Sequence, residues 1–303
     1  MNLHGWIIYN GNLPGDKFLD FAQWIHEAAS RKNSKTVIYQ NNELLSLLDA
    51  SKLDILGHST APLPDYAVFA DKDIYLARQL ELLGIRVFNS SAAIERSDDK
   101  IASYQQLASQ HIPMPKTIVS PKIFSTGTIG EEITRHAVEE LGFPLIIKEA
   151  YGSFGEQVYL ITNETELYQK ANELAGTAFM FQEFISSSYG RDLRLHVVGN
   201  RVAAAMKRQS KNDFRANITA GGTMEPYQPT DYEVELAVSA AACIGADIAG
   251  VDLLFGPDGS PLVCEINSNA HIRNLYECTG INVAENIIDY ILEKLSQQEG
   301  GTR

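Results

Sequence analysis

A chain of 303 residues, 45% hydrophobic and 21% charged, can bury a substantial core as one large domain or as two to three small ones. Its formal charge of −13 argues against non-specific binding to nucleic acid or anionic lipid, because both require a basic surface. Apolar runs such as Pro144–Ile147 and Ala237–Ile244 fall far short of the roughly 20 residues of a membrane span, and no basic segment precedes an apolar run at the N-terminus. The sequence therefore predicts a cytoplasmic protein without a membrane or nucleic-acid partner. Three scattered cysteines, Cys243, Cys264 and Cys278, predict reduced thiols and neither a disulfide framework nor a zinc site.

The first ninety residues alternate short apolar runs at 6–9, 36–39, 66–69 and 86–88 with amphipathic stretches at 18–29 and 73–83, the pattern of a parallel sheet covered by helices. In the second of these helices Leu76, Leu80 and Leu83 recur on one face, and Gly84 follows as a stop signal. A new unit starts after Asn89, with Ser90 and Ser91 as caps, helices at 92–95 and 99–110, and a proline-marked crossing at Pro113 and Pro115. A loop over 121–130 precedes a helix at 131–141. From Pro144 strands dominate until an alanine-rich helix at 234–245, and a closing helix at 283–295 carries Val283, Ile287, Ile288, Ile291 and Leu295 on one face.

Two apolar runs, Gly250–Phe255 and Pro261–Asn267, flank Asp258-Gly259, a strong hairpin signal. A two-residue turn centred there sets Asp252 opposite Glu265, with Asn267 on the same face. Two facing carboxylates repel unless something compensates them. A divalent cation held by three hard oxygen donors does so, and the set suits magnesium shared with nucleotide phosphates. A solvated face with ordinary surface acids is the competing reading of the hairpin alone. Upstream, Ile146-Ile147-Lys148 ends a strand and runs into Tyr151-Gly152-Ser153-Phe154-Gly155 before a second strand. Such a turn can wrap backbone N–H groups around phosphate oxygens while the lysine adds a charge, although an ordinary hairpin turn also explains it. Arg191, Arg194, Lys207, Arg208 and Arg215 add cations in an otherwise acidic region, which suggests a site that handles several negative charges.

Read in order, Ser97-Asp98-Asp99-Lys100, Lys148 with its glycine loop, Phe181-Gln182-Glu183-Phe184-Ile185, Gly190-Arg191-Asp192-Leu193-Arg194, Asn212–Asn217 with Gly221-Gly222, Ala249–Asp252 and Glu265-Ile266-Asn267 resemble the ATP-grasp superfamily, in its RimK-like branch of amino-acid and glutamate ligases. The resemblance runs from about residue 73 to 290 and implies an α/β ATP-grasp fold. Its parts would be an N-terminal α/β domain (1–90), a small α/β lid (91–183) and a C-terminal mixed or antiparallel sheet (184–303) that clasps ATP. It further implies that Lys100 and Lys148 hold nucleotide phosphates with Gly152, Ser153, Phe154 and Gly155. Gln182, Glu183, Phe184 and Ile185 would line the adenine pocket, and Asp192 would contact the ribose. Asp252, Glu265 and Asn267 would bind magnesium or, in its place, manganese. Arg208 would steady the acyl phosphate, with Arg215 and Asn217 near the reacting groups.

The implied reaction is ATP-dependent carboxylate–amine ligation through an acyl phosphate, releasing ADP, with a homo-oligomeric enzyme as the default. A hydroxyl kinase and a non-catalytic ATP-binding module are the alternatives. Protein-glutamylating relatives carry Asn-Ala-Ser-Pro-Gly at the end of the metal strand, whereas this chain has Asn267-Ser268-Asn269-Ala270-His271, which is closer to ligases acting on carrier-bound amino acids. That segment leaves the metal strand beside the transferred phosphate, so Ser268, Asn269 and His271, together with Arg194 and Asn217, are the expected substrate contacts. The substrate is expected to be an amino acid or small carboxylate, on a peptide or carrier protein or free.

Overall fold

The structure, a computed structural model, describes residues 3–59, 62–123, 127–153, 155–216 and 221–300, with 298–300 described by backbone alone. Phe154 and Asn217 lie outside the described residues. The described residues form three successive larger sheets and one two-stranded hairpin. In the first unit, β1 (His4–Tyr9), α1 (Lys17–Arg31), β2 (Lys35–Gln40), β5 (Tyr66–Ala70), α2 (Ile74–Leu82) and β6 (Arg86–Phe88) build a parallel sheet in the order β2-β1-β5-β6. Alternate residues of β1 feed cores on opposite faces: Ile7 packs with Phe21 and Ile25 of α1, while Trp6 and Ile8 pack with Leu76 and Leu80 of α2. Burial on both faces is the physical reason why this strand reads as an unbroken apolar run. The winding reverses between β1 and β5, since α1 leads outward from β1 to β2 and α2 leads outward from β5 to β6. A hairpin of β3 (Leu45–Asp49) and β4 (Lys52–Leu56) is an addition that the sequence reading did not contain.

The second unit opens with α3 (Ser91–Asp98), capped by Ser90, and α4 (Lys100–Ser109), capped by Asp99. An antiparallel sheet follows in the order β7-β10-β8-β9, from β7 (Thr117–Val119), β8 (Leu145–Glu149), β9 (Val158–Ile161) and β10 (Phe179–Glu183). Helices α5 (Glu131–Leu141) and α6 (Glu164–Glu173) share its core. Strands dominate between Pro144 and Val234, as expected, and helix α6 is an addition that the sequence did not predict. Its buried face is only Leu167 and Ala171, too sparse for a helical period, although Asn163 caps it by accepting from the Glu166 N–H at 3.0 Å.

The third sheet, antiparallel in the order β13-β12-β11-β14-β15, comprises β11 (Arg191–Val198), β12 (Arg201–Gln209), β13 (Thr223–Pro226), β14 (Ile248–Phe255) and β15 (Pro261–Asn267). Helix α7 (Asp231–Ile244) lies on it, started by a capping box of Thr230 and Glu233 and ended by Gly245 at φ 79°. After α8 (Arg273–Thr279), α9 (Val283–Gly300) returns to pack Val283, Ile287, Ile288 and Ile291 into the same core as α1. Buried Asn89 ties this assembly together: its amide donates to the Ile248 and Ser268 carbonyls at 2.7 and 2.9 Å and accepts from the Ile248 N–H at 2.9 Å. Among the described residues, no helix is long and apolar enough to cross a membrane.

Candidate active site

The β14–β15 hairpin places Asp252 opposite Glu265, as the sequence predicts, but by a different route. The turn spans three residues between Gly256 and Ser260, with only Gly259 at positive φ (86°), so the two-residue turn centred on Asp258 and Gly259 is corrected. Leu253 then pairs with Val263, and Cys264 is an extra residue on its strand before Asp252 meets Glu265. This bulge re-aims the strand, so that the consecutive residues Cys264 and Glu265 both line the cavity, where a regular strand would send them to opposite faces.

That cavity, about 830 Å³ in volume, lies where the three units meet. One wall comes from the second unit. Lys148 at the end of β8 is 7% exposed, with its Nζ 3.6 Å from Cys264 Sγ and 5.7 Å from the centre of the Tyr104 ring. Burial opposes its charge, but the neighbouring thiol, phenol and Glu265 carboxylate outweigh burial and raise its pKa, keeping the ammonium protonated. Burial pushes the Tyr104 phenol up to about 12, and the neutral hydroxyl donates to the Cys264 carbonyl at 2.8 Å. Gly152, Ser153 and Gly155 face the same space. Lys100 Nζ donates to the Gly152 carbonyl at 2.9 Å and stands 3.7 Å from Glu265, while Arg215 Nη1 donates to the Gly155 carbonyl. Lys72, from the loop after β5, reaches Ser153 Oγ at 3.3 Å and pairs with Asp98. Three cations from three parts of the chain thus hold the glycine loop. Gln182, Glu183, Phe184 and Ile185 line the cavity beside it, with Gln182 fixed by donation to Thr117 Oγ1 at 2.8 Å.

The facing wall is the third sheet. Arg194 grips Asp252 through two bonds of 2.7 Å, and Arg208 grips Asp192 at 2.7 and 2.6 Å while its Nη2 also meets Asp252 at 3.0 Å. Burial alone would raise the Asp252 pKa, but the two guanidinium groups hold it below its ordinary value. The expectation that Asp252 and Glu265 repel until a cation arrives is therefore corrected: arginines compensate Asp252, and Lys100 stands beside Glu265. Asp192 also differs from expectation. Its carboxylate is buried and committed to Arg208, an arrangement that orients the guanidinium and leaves no exposed carboxylate for a ribose.

Magnesium fits the remaining donors. A carboxylate offers about four lone-pair sites, and the three arginine contacts leave Asp252 Oδ1 one of them. The Glu265 side chain is 34% exposed and lines the cavity with Asn267; the buried Asn267 amide nitrogen has no hydrogen-bond partner, and a flip of the amide would set its oxygen, the atom that can bind an ion, in that place. Among the described residues no group of three His, Cys, Asp or Glu side chains forms a closed metal cage.

Ser268, Asn269 and His271 continue along the cavity toward the first unit. Ser97 braces this segment, accepting from the Ser268 N–H at 2.9 Å and donating to the Ile266 carbonyl at 3.0 Å. His271 packs edge-on against Phe18, 5.1 Å between ring centres, and burial lowers its pKa to about 4. It is therefore neutral near pH 7. The sequence did not point to Asn10, Phe18, Asp71, Lys72, Tyr104 or Cys264 as site residues, yet all lie at or against this cavity. Only the charged run Asp71-Lys72-Asp73 at the end of an apolar strand offered a signal in the sequence.

Comparison with known proteins fits this geometry. A model of the RimK-like ATP-grasp domain matches residues 97–291. A probable alpha-L-glutamate ligase of Legionella pneumophila (strain Paris) is 39% identical over 220 residues, covering 72% of this chain and 70% of its own. The crystal structure of a RimK domain ATP-grasp protein from Sphaerobacter thermophilus superposes with a TM-score of 0.70 at 21% identity, covering 94% of this chain and 98% of that one. The ATP-grasp ligase PsnB, solved with a minimal precursor, Mg and ADP, superposes with a TM-score of 0.69 at 16% identity, covering 96% of this chain and 98% of that one. The α/β fold expected from the sequence is thus the ATP-grasp fold. The family model covers well over half the chain, and the protein belongs to the RimK-like ATP-grasp family.

Proposed function

We propose that this protein is an ADP-forming carboxylate–amine ligase that uses Mg-ATP to join an amino acid, with glutamate as the first candidate, to a carboxylate on a small molecule, peptide or carrier protein. The observation that carries this reading is one cavity in which Lys148, Lys100 and the glycine loop face Asp252, Glu265 and Asn267, with Ser268–His271 leading away from them. The glutamate-ligase name of the Legionella relative and the precursor-bound state of PsnB support an amino-acid or peptide substrate.

In the reaction, a carboxylate oxygen displaces ADP from the γ-phosphorus, and the amine nitrogen then displaces phosphate from the acyl carbon, losing a proton. Asp252, Glu265 and Asn267 would hold magnesium, which supplies charge neutralisation at the transferred oxygens when bound. Lys148 and Lys100 bind phosphate oxygens. Arg208, fixed on two carboxylates, offers preorganised positive charge where the acyl phosphate forms. Phe18 and His271, packed edge-on, line the same cavity as the glycine loop, and keeping water out of it would protect the intermediate from hydrolysis. The kinase and the non-catalytic module are not favoured. We place the activity in the cytoplasm, where the reduced thiols expected of three scattered cysteines would persist, with a homo-oligomer as the default for such enzymes.

The test is ADP and phosphate release measured with a panel of amino acids crossed with carboxylates, including glutamyl peptides. A ligase releases phosphate only when acid and amine are both present. Stable phosphorylation of a hydroxyl compound without an amine would refute the reading.

A further inference from the structure

We propose that Asn10 and Asp71, both in the N-terminal unit, form the subsite that recognises the ammonium group of the amino-acid substrate. The inference rests on the ligase reading and gives the N-terminal unit, which lies ahead of the family-matched residues, a part in substrate choice. Its position comes from topology. Asn10 and Asp71 directly follow β1 and β5, whose last residues Tyr9 and Ala70 are paired. The winding of the sheet reverses between these two strands. The carboxyl ends of strands at such a reversal form a crevice uncovered by helices, where open α/β sheets take their ligands. Both residues line the cavity that holds Lys148 and Glu265.

The second observation is an unpartnered atom. Asp71 is 4% exposed, and both hydrogen bonds to its carboxylate fall on Oδ1: from Asn10 Nδ2 at 2.9 Å and from the Lys72 N–H at 2.7 Å. Oδ2 is buried and has no partner. A buried carboxylate oxygen left bare costs free energy unless a donor or cation completes it. Lys72 does not supply that cation, because its Nζ turns to Asp98 and Ser153. Asn10 is itself locked, since its Oδ1 accepts from the Asn12 and Leu13 N–H groups at 3.0 and 3.1 Å, so Nδ2 is fixed on Asp71.

Charge then selects the ligand. Desolvation is the largest influence on Asp71 and raises its pKa, with Asp73 adding to the rise and Lys72 opposing it. A phosphate or carboxylate would be repelled here, while the arginines and lysines elsewhere in the cavity receive those groups. An ammonium supplies both charge and hydrogen-bond donors to Oδ2, a carboxylate–ammonium bond in a desolvated pocket being the stronger, charge-assisted kind, and the same nitrogen becomes the nucleophile of the second step once it gives up a proton, for which the Asp71 carboxylate is the adjacent acceptor.

The test uses the full chain with Mg and a non-hydrolysable ATP analogue. L-glutamate and its des-amino analogue glutarate are titrated into the wild type, Asp71→Asn and Asn10→Ala, and ADP release is measured in parallel with the amino-acid panel. The wild type is expected to bind L-glutamate at least tenfold more tightly than glutarate. Asp71→Asn should abolish that preference, and Asn10→Ala should reduce it, while ATP-analogue affinity stays within twofold and melting is unchanged or higher. A merely structural role for Asp71 would not alter the amine-to-des-amino ratio. Equal preference in the wild type and Asp71→Asn overturns the subsite and leaves the ligase reading standing. If no amino acid in the panel supports ADP release by the wild type, the ligase reading falls, and the subsite falls with it.

Discussion

Asp252→Asn keeps the shape of a side chain that is 5% exposed but removes the charge on which two guanidinium groups converge at 2.7, 2.7 and 3.0 Å. Among the described residues Asp192 is then the only anion bonded to Arg208, and Arg194 loses its carboxylate, so the cluster carries an uncompensated buried positive charge. Breaking a buried pair from one side costs about 3–5 kcal/mol. Arg194 is 20% exposed and can turn toward water, which places the expected loss near the lower end of that range. Glu265→Gln contrasts with it: the Glu265 side chain is 34% exposed and has Lys100 at 3.7 Å, so its loss should cost less than about 1 kcal/mol. Urea denaturation and thermal melting of the ligand-free variants measure the difference, and both variants should lose most magnesium-dependent turnover. The double variant Asp252→Asn with Arg194→Gln should recover part of the stability, because the two changes act on one ion pair. Equal stability of Asp252→Asn and Glu265→Gln would refute Asp252 as the charge pivot of this cluster.

Lys148→Ala should weaken binding of a non-hydrolysable ATP analogue by about tenfold or more, near 1.4 kcal/mol; an unchanged calorimetric dissociation constant would rule out its phosphate role. Asn269→Ala and His271→Ala should raise KM for the carboxylate or amine, or lower kcat, with ATP affinity within about twofold. Loss of ATP affinity alone would assign that segment to the nucleotide. Buried His196, neither of whose ring nitrogens has a partner, titrates near about 3 in the fold because burial disfavours its charged form, against 6.5 as the ordinary value. Between those values the unfolded chain binds more protons, so stability falls as pH drops from 6.5, by up to about 1.4 kcal/mol per pH unit. His196→Phe should flatten that slope in pH-dependent denaturation, and an unaltered slope would contradict it. Asn89→Ala strands three buried backbone groups and should cost roughly 2–4 kcal/mol in denaturant melts; a loss below the lower figure would mean that water replaces the amide.

Short-range patterns carried much of this molecule. The α2 face of Leu76 and Leu80, the Ser90 cap and the apolar run of β1 each follow from periods and caps within a dozen residues, which local sterics and burial enforce. The ordered motifs from Lys100 to Asn267 were legible for the same reason, since each is a short run at a strand end or turn. The pairing of Asp252 with Glu265 was legible too, yet it depended on two deviations that cancel: a turn one residue longer than expected and the bulge at Cys264. Tertiary structure decided the rest. Which cation neutralises Asp252 depends on β11 lying between β12 and β14, which brings Arg194 and Arg208 to one carboxylate from two strands. Asn10 and Asp71 stand 61 residues apart, each the first polar residue after an apolar run. Nothing in local spacing relates them, because their contact exists only once β1 pairs with β5 at the reversal of the sheet, and strand order is fixed by burial over the whole unit.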